Sequence, residues 1–216
     1  MTSPNNERLK IGFYGGKFLP FHIGHAYAAI KALEPCDVLY LILFHGGEQE
    51  EEIQKNKDEY PLPNSYFSLS ARMVQLYNFA SLYNYSDRGK EHNKIIIPTN
   101  IDISKCRYPN GKENWDAETP LVISKISTSN ENLTFNGASI RNGAFNQGQP
   151  FDYVYSSEPS YNDYFRKAYP FATHIIIDTA RAAVPISATM IRNMDAETAK
   201  KYTTFDKKTI DKLIKM

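Results

Sequence analysis

The sequence predicts an α/β protein built on a doubly wound parallel sheet. Two observations carry that prediction. Leu9–Tyr14 and Val38–Phe44 are apolar, β-prone runs joined by a glycine-rich turn and an alanine-rich segment of helical character. Further along, strand-like runs alternate with helix-like ones, the pattern that places helices on both faces of one sheet. Apolarity in Val38–Phe44 is continuous rather than alternating, as in a strand covered on both sides.

The elements follow in order. After the first strand, a helix is expected from about Gly24 to Leu33. Glu34-Pro35 ends it, because proline disfavours helical geometry in the residue before it. With Val38–Phe44 this makes a strand–loop–helix–strand unit, which implies a right-handed crossover between parallel strands. His45–Asn64 is acidic and then proline-punctuated, and reads as an exposed loop. Ser68–Tyr85 has helical spacing, with Leu69, Met73, Leu76 and Phe79 or Ala80 along one side. Ile95–Ile97 reads as a short strand and Asn100–Glu118 as loop. The polar, Asn/Gly-rich stretch Ile126–Pro150 has little periodicity and reads as a surface insertion. Phe151–Tyr155 and His174–Asp178 are two more strand candidates. A helix begins near Ser187, and Asp206–Met216 has the pattern of an amphipathic closing helix. No internal repeat or linker interrupts the chain. Residues 1–216 are therefore read as one domain with a C-terminal helical segment from about 195 to 216. In such sheets ligands bind beyond the carboxyl ends of the strands, where strand order reverses. The loops after Tyr14, Tyr155 and Asp178 are expected to open on that edge.

Composition narrows the partners. A net charge of +1 gives no field to recruit nucleic acid or an acidic membrane, so an anionic ligand must be held by local groups. Cys36 and Cys106 form no CxxC and no zinc-like cluster, and a chain of 216 residues needs no disulfide scaffold. Met1–Glu7 is polar and lacks an apolar signal core, and Val38–Phe44, the longest apolar run, is too short to span a bilayer. A cytoplasmic location is expected.

The chemistry concentrates in Gly15-Gly16-Lys17-Phe18-Leu19-Pro20-Phe21-His22-Ile23-Gly24-His25. Glycines at a strand end allow unusual backbone angles and close approach to a ligand. Lys17 adds a mobile positive charge. His22 and His25 stand one helical turn apart, at a helix N-terminus where free N–H groups favour a phosphate. The segment is not a P-loop. Only three residues separate Gly12 from Gly16-Lys17 where four are needed, and Phe18 stands where Ser or Thr should be. The two histidines could ligate a metal, but the spacing offers no third ligand, and no protein-held metal is expected.

A second segment is Ile186-Ser187-Ala188-Thr189-Met190-Ile191-Arg192. Ser187 can cap a helix, Thr189 adds a hydroxyl, and the planar fork of Arg192 suits phosphate oxygens. Taken together, the two segments resemble the GxFxPxHxGH and ISxTxxR motifs of the HxGH nucleotidyltransferase family, in the family's order. Ser68 and Arg72 in Phe67-Ser68-Leu69-Ser70-Ala71-Arg72 resemble its middle SxxxR element. Within the family the chain looks most like nicotinamide-nucleotide adenylyltransferases of the NadR type and their archaeal relatives. Gly16-Lys17-Phe18, Tyr155-Ser156-Ser157-Glu158 and Ile177-Asp178-Thr179-Ala180-Arg181 carry that likeness. So does the loop Tyr108–Asp116, which holds the single tryptophan, Trp115.

The resemblance implies a Rossmann-like nucleotidyltransferase fold and transfer of AMP from ATP to nicotinamide mononucleotide, with NAD and pyrophosphate as products. It implies His22, His25, Lys17 and Arg192 as catalytic groups. Gly15, Gly16, Phe18, Ser187, Thr189, Ser156, Ser157 and Glu158 would bind ATP, with Asp178 and Arg181 as lesser candidates. Trp115 and Asn114 would bind the mononucleotide. Magnesium is expected as ATP's counter-ion, held by phosphates and water. Neither nucleic acid nor membrane is an expected partner, and a homo-oligomer is allowed. The chain ends soon after Arg192 and holds no true P-loop, so the kinase activity that often accompanies the NadR type is not expected. Another phosphate acceptor, or a nucleotide-binding sensor without turnover, are the competing readings.

Overall fold

A computed structural model describes residues 9–126, 149–179 and 181–216, together with the backbone of 127–129, 133–135 and 138–140. The elements run β1 (Ile11–Gly16), α1 (Ile23–Ala32), β2 (Val38–His45), α2 (Glu48–Lys55), α3 (Leu69–Asn84), α4 (Asp87–Glu91), β3 (Ile95–Asp102) and α5 (Glu118–Ser129). They continue with β4 (Leu133–Phe135), β5 (Ala138–Ile140), β6 (Tyr153–Ser156), α6 (Asn162–Ala168) and β7 (Thr173–Ile176). The described chain closes with α7 (Ala188–Arg192), α8 (Ala196–Thr203) and α9 (Lys207–Lys215).

The main sheet has the order β3-β2-β1-β6-β7, and every pairing in it is parallel. Side-chain alternation splits the core in two. Leu39, Leu41 and Leu43 join residues of α1, α3 and α9 on one face. Val38, Tyr40, Ile42 and Phe44 join Ile123 of α5 and Phe165 of α6 on the other. That is a doubly wound α/β sheet, and it explains why β2 is apolar without a break: all seven residues Val38–Phe44 are buried. Strand order reverses between β1 and β6, so a crevice opens beyond their carboxyl ends.

Several elements differ from the expectation. His45–Asn64 is not all loop: α2 lies within it. Its sequence Glu-Gln-Glu-Glu-Glu-Ile-Gln-Lys carries one apolar anchor, Ile53, so no periodicity announced it, while acidic residues in its first turn favour the helix start. The strand expected at Ile95–Ile97 runs on to Asp102 through Pro98. β3 is an edge strand, where proline's missing N–H costs no ladder bond. The helices α4, α6 and α8 are short and follow no long apolar stripe. In the Ile126–Pro150 stretch the described backbone shows the end of α5 and an antiparallel β4–β5 pair. Residues 130–132, 136–137 and 141–148 of that stretch, Met1–Glu7 and Ala180 lie outside the described residues.

The C-terminal segment is two capped helices. Asp195 and Asp206 accept from the amides of Thr198 and Thr209 at the starts of α8 and α9. Ile210 and Leu213 of α9 bury against the same core as α1 and α3. No helix among the described residues is long and apolar enough to cross a membrane.

Candidate active site

The loop after β1 is held in place from below. Phe18 and Phe21 sink their rings into the core, and the Leu19-Pro20 peptide is cis. Arg72 of α3 is wholly buried, at 0% exposure. It donates to the Lys17 carbonyl at 2.8 Å and forms an ion pair with Glu50 of α2. The SxxxR element is therefore a brace for the loop: Ser68 caps α3 by accepting from the Ala71 amide at 3.2 Å, and Arg72 ties that helix to Lys17.

Gly15 and Gly16 were expected to supply unusual backbone angles. They do not; the residue with positive φ in this loop is Phe18, at 47°. The glycines supply room instead. A Cβ on Gly15 would collide with the Phe44 ring, and one on Gly16 would stand 2.8 Å from that of Phe18. Gly24 serves the histidines the same way, since a Cβ there would lie 3.0 Å from the His22 ring.

His22 and His25 stack with ring centroids 3.7 Å apart. His22 caps α1: its Nδ1 accepts from the Gly24 amide at 3.1 Å. That bond leaves the ring proton on Nε2, which is buried and has no partner among the described residues. His25 Nδ1 is equally buried and unpartnered. Burial first, then the nearby Arg181, pushes the His22 imidazole down to about 3. Burial, His22 and Arg181 hold His25 well below the usual imidazole range. Both rings are therefore neutral near pH 7, and they face the crevice as uncharged hydrogen-bonding groups rather than cations.

The crevice divides into two adjoining cavities. The first, about 300 Å³, is lined by the loop after β1 with His22 and His25, by Ser156-Ser157-Glu158 after β6, and by Asp178, Arg181, Ser187, Thr189 and Arg192. All twelve residues with catalytic or ATP-binding roles under the family resemblance, Gly15 and Gly16 included, thus line this cavity. Ser187 accepts from the Met190 amide at 3.2 Å as the cap of α7. Arg192, 8% exposed, donates to the Leu19 carbonyl at 2.8 Å and to Thr189 Oγ1 at 3.0 Å, which leaves its Nε without a partner. Arg181 stands 3.7 Å from Glu158 Oε1. Asp178 and Arg181 hold positive φ in a tight turn, with Asp178 Oδ1 accepting from the Ala182 amide.

The second cavity, about 230 Å³, is aromatic: Phe13, Phe44, Trp115, Tyr155, Tyr161, Tyr164, Phe165 and Tyr169 line it with Glu113. Gly15, Ser156 and Tyr161 belong to both cavities. Trp115 stacks on Phe44, centroids 4.9 Å apart, and donates its indole N–H to Glu113 at 3.0 Å. Lys17 Nζ lies 3.2 Å from Glu113 and 5.4 Å from the Trp115 ring centroid, so the lysine of the first motif reaches toward the aromatic cavity. Asn114 does not line either cavity. Its Oδ1 accepts from the Ala117 amide, which makes it a turn residue beside the site.

Sequence reasoning missed Glu113, the aromatic residues of α6 and its flanks, and a Ser156–His174–Asn162 chain. In that chain His174 sits 2.8 Å from Ser156 and 3.2 Å from Asn162. Glu113 stood two residues before a tryptophan already singled out, the one local signal available. Among the described residues no group of three or more His, Cys, Asp or Glu side chains is placed to hold a metal ion.

No family model matches the chain, and no curated protein matches it. Among solved structures it is similar to NadR protein in complex with NR, at 17% identity and a TM-score of 0.49, over 91% of this chain and 44% of that one. NadR protein in complex with NAD and AMP-PNP matches at 19% identity and 0.46, over 86% and 42%. A bifunctional NMN adenylyltransferase/ADP ribose pyrophosphatase from Francisella tularensis matches at 15% identity and 0.47, over 96% and 49%. The chain spans less than half the length of these three proteins. At such identities and superpositions the likeness identifies neither activity nor substrate.

Proposed function

We propose that this chain is an adenylyltransferase that transfers AMP from ATP to nicotinamide mononucleotide, releasing pyrophosphate and forming NAD. The observation that carries the reading is the pair of adjoining cavities at the strand-order switch. One is lined by groups that suit a polyphosphate, the other by aromatic rings, and they meet at Gly15 and Ser156. A reaction between a triphosphate and a mononucleotide with a flat ring needs such a junction.

In the proposed reaction an oxygen of the mononucleotide's 5′-phosphate attacks the α-phosphorus of ATP, and the bond to the β-phosphate's bridging oxygen breaks. No protein nucleophile is required. Positioning and charge stabilisation supply the catalysis. His22 lines the first cavity and keeps a buried Nε2–H without a partner among the described residues, a donor that would serve a phosphate oxygen as charge builds there. His25 stacks beside it. Arg192, Thr189 and Ser187 lie where the leaving pyrophosphate would be gripped, and Arg181 adds an exposed charge to the same wall. Lys17 would leave Glu113 for the more highly charged phosphates. Magnesium would arrive with ATP, its ligands being phosphate oxygens and water.

The test is a panel of phosphate acceptors incubated with ATP and magnesium, read by pyrophosphate release and NAD formation. NAD formation from nicotinamide mononucleotide is the expected result. Turnover with pantetheine phosphate or flavin mononucleotide in its place, or with no acceptor at all, would overturn the proposal. His25→Ala is expected to lower kcat about 100–1,000-fold, the usual worth of a group that stabilises transition-state charge. Normal turnover by the folded variant would put the reaction elsewhere.

A further inference from the structure

We infer that Glu113 is a specificity-determining residue, which makes the aromatic cavity accept a cationic pyridine ring bearing a neutral amide over the same ring bearing a carboxylate. The inference deepens the proposed function and rests on it.

Among the described residues lining the second cavity, Glu113 is the one charged side chain. Its carboxylate is fixed by groups that do not depend on Lys17. Oε1 accepts from the Glu48 amide at 2.7 Å, and Oε2 accepts from the Trp115 indole at 3.0 Å. Burial alone raises its pKa. The Glu48 amide, Trp115 and Lys17 outweigh that and hold the carboxyl below its ordinary value, so it is ionised near pH 7.

The place of Lys17 shows what this wall favours. Its ammonium sits 3.2 Å from the carboxylate and 5.4 Å from the Trp115 centroid. A carboxylate beside an aromatic ring is a cation site. When Lys17 turns to substrate phosphates, Glu113 stays behind with its two N–H donors, and the remaining nearby cation, Arg107, is paired with Glu48. A pyridinium ring entering beside Trp115 restores the missing charge, and a carboxamide on that ring adds N–H donors. A ring carboxylate instead brings a second negative charge into a largely aromatic cavity that already holds the Glu113 carboxylate, where like charges repel.

Trp115 is the only tryptophan, so its fluorescence reports on this cavity without interference from another site. The experiment titrates wild type and Glu113→Gln with nicotinamide and nicotinate mononucleotides. It follows Trp115 quenching and, with ATP present, kcat/KM for each. Wild type is expected to favour the nicotinamide form at least about tenfold, a typical margin for one unfavourable charge contact. Glu113→Gln is expected to bring the ratio to within about threefold, chiefly through gain of the nicotinate form. A purely structural role for Glu113 would weaken both substrates alike and leave the ratio unmoved.

Wild type that takes both forms equally, or a variant with an unchanged ratio, overturns this inference while NAD formation leaves the proposed function standing. Equal use of the two forms by wild type overturns the inference even if the variant does not fold. Absence of turnover and of quenching with either form overturns the proposed function, and the inference with it.

Discussion

The neutral, buried His22 makes the stability of this protein depend on pH in a calculable way. In the unfolded chain its imidazole titrates near 6.5; in the folded chain burial moves it to about 3. The folded pKa is the lower one, so between these values the unfolded state binds the proton and the folded state does not. Stability is then fully present above about pH 6.5 and is lost as pH falls toward 3. At pH 5 the loss is about 1.5 pH units at about 1.4 kcal/mol each, or roughly 2 kcal/mol from this ring alone. His25, shifted the same way, adds to it. The assay compares urea unfolding of wild type and His22→Gln at pH 7.5 and pH 5.0. Glutamine keeps a neutral polar side chain at the site and removes the titration. Carboxylates lose their contributions equally in both proteins, so the difference between them isolates His22. Wild type is expected to lose about 2 kcal/mol more than the variant over this interval. Equal losses would show that the ring is accessible to protons in the folded state, and the neutral-donor role drawn from its bond to Gly24 would fall.

Arg72→Met leaves Glu50 without its ion-pair partner, though still accepting from the Gly46 amide, and the Lys17 carbonyl without its Arg72 donor. Breaking one side of a buried ion pair costs about 3–5 kcal/mol, and adding Glu50→Gln should recover part of that. Thermal and urea unfolding measure both, and a loss under about 1 kcal/mol would remove Arg72 as the brace of the phosphate-facing loop. For Trp115→Ala, steady-state kinetics should show KM for the mononucleotide raised about tenfold, the worth of one aromatic contact, with KM for ATP nearly unchanged. Equal effects on the two substrates would mean that the loop had lost its shape.

Local order in the chain determined much of this protein. Backbone preference and apolar run length are local properties, so the unbroken Val38–Phe44 run identified a strand covered on both faces, and the strand–helix alternation identified the sheet. The same is true of the pairing of Gly15–His25 with Ser187–Arg192. Motif spacing marked both, and the first cavity joins them across some 160 residues of chain, as their shared suitability for phosphate required.

What tertiary structure decided lies where a residue's environment outweighs its type. His22 and His25 have ordinary imidazoles, but burial and stacking make them neutral. Gly15 and Gly16 have backbone freedom by nature, yet they are there because Phe44 and Phe18 leave no room for a Cβ. Arg72 is a cation in sequence and a buried tie between α3, Glu50 and Lys17 in the fold. The aromatic cavity draws on β1, β2, the Trp115 loop and α6 at once, so no window of sequence contained it. Glu113 meets Lys17 across 96 residues, a contact created only when the sheet sets the end of β1 beside that loop.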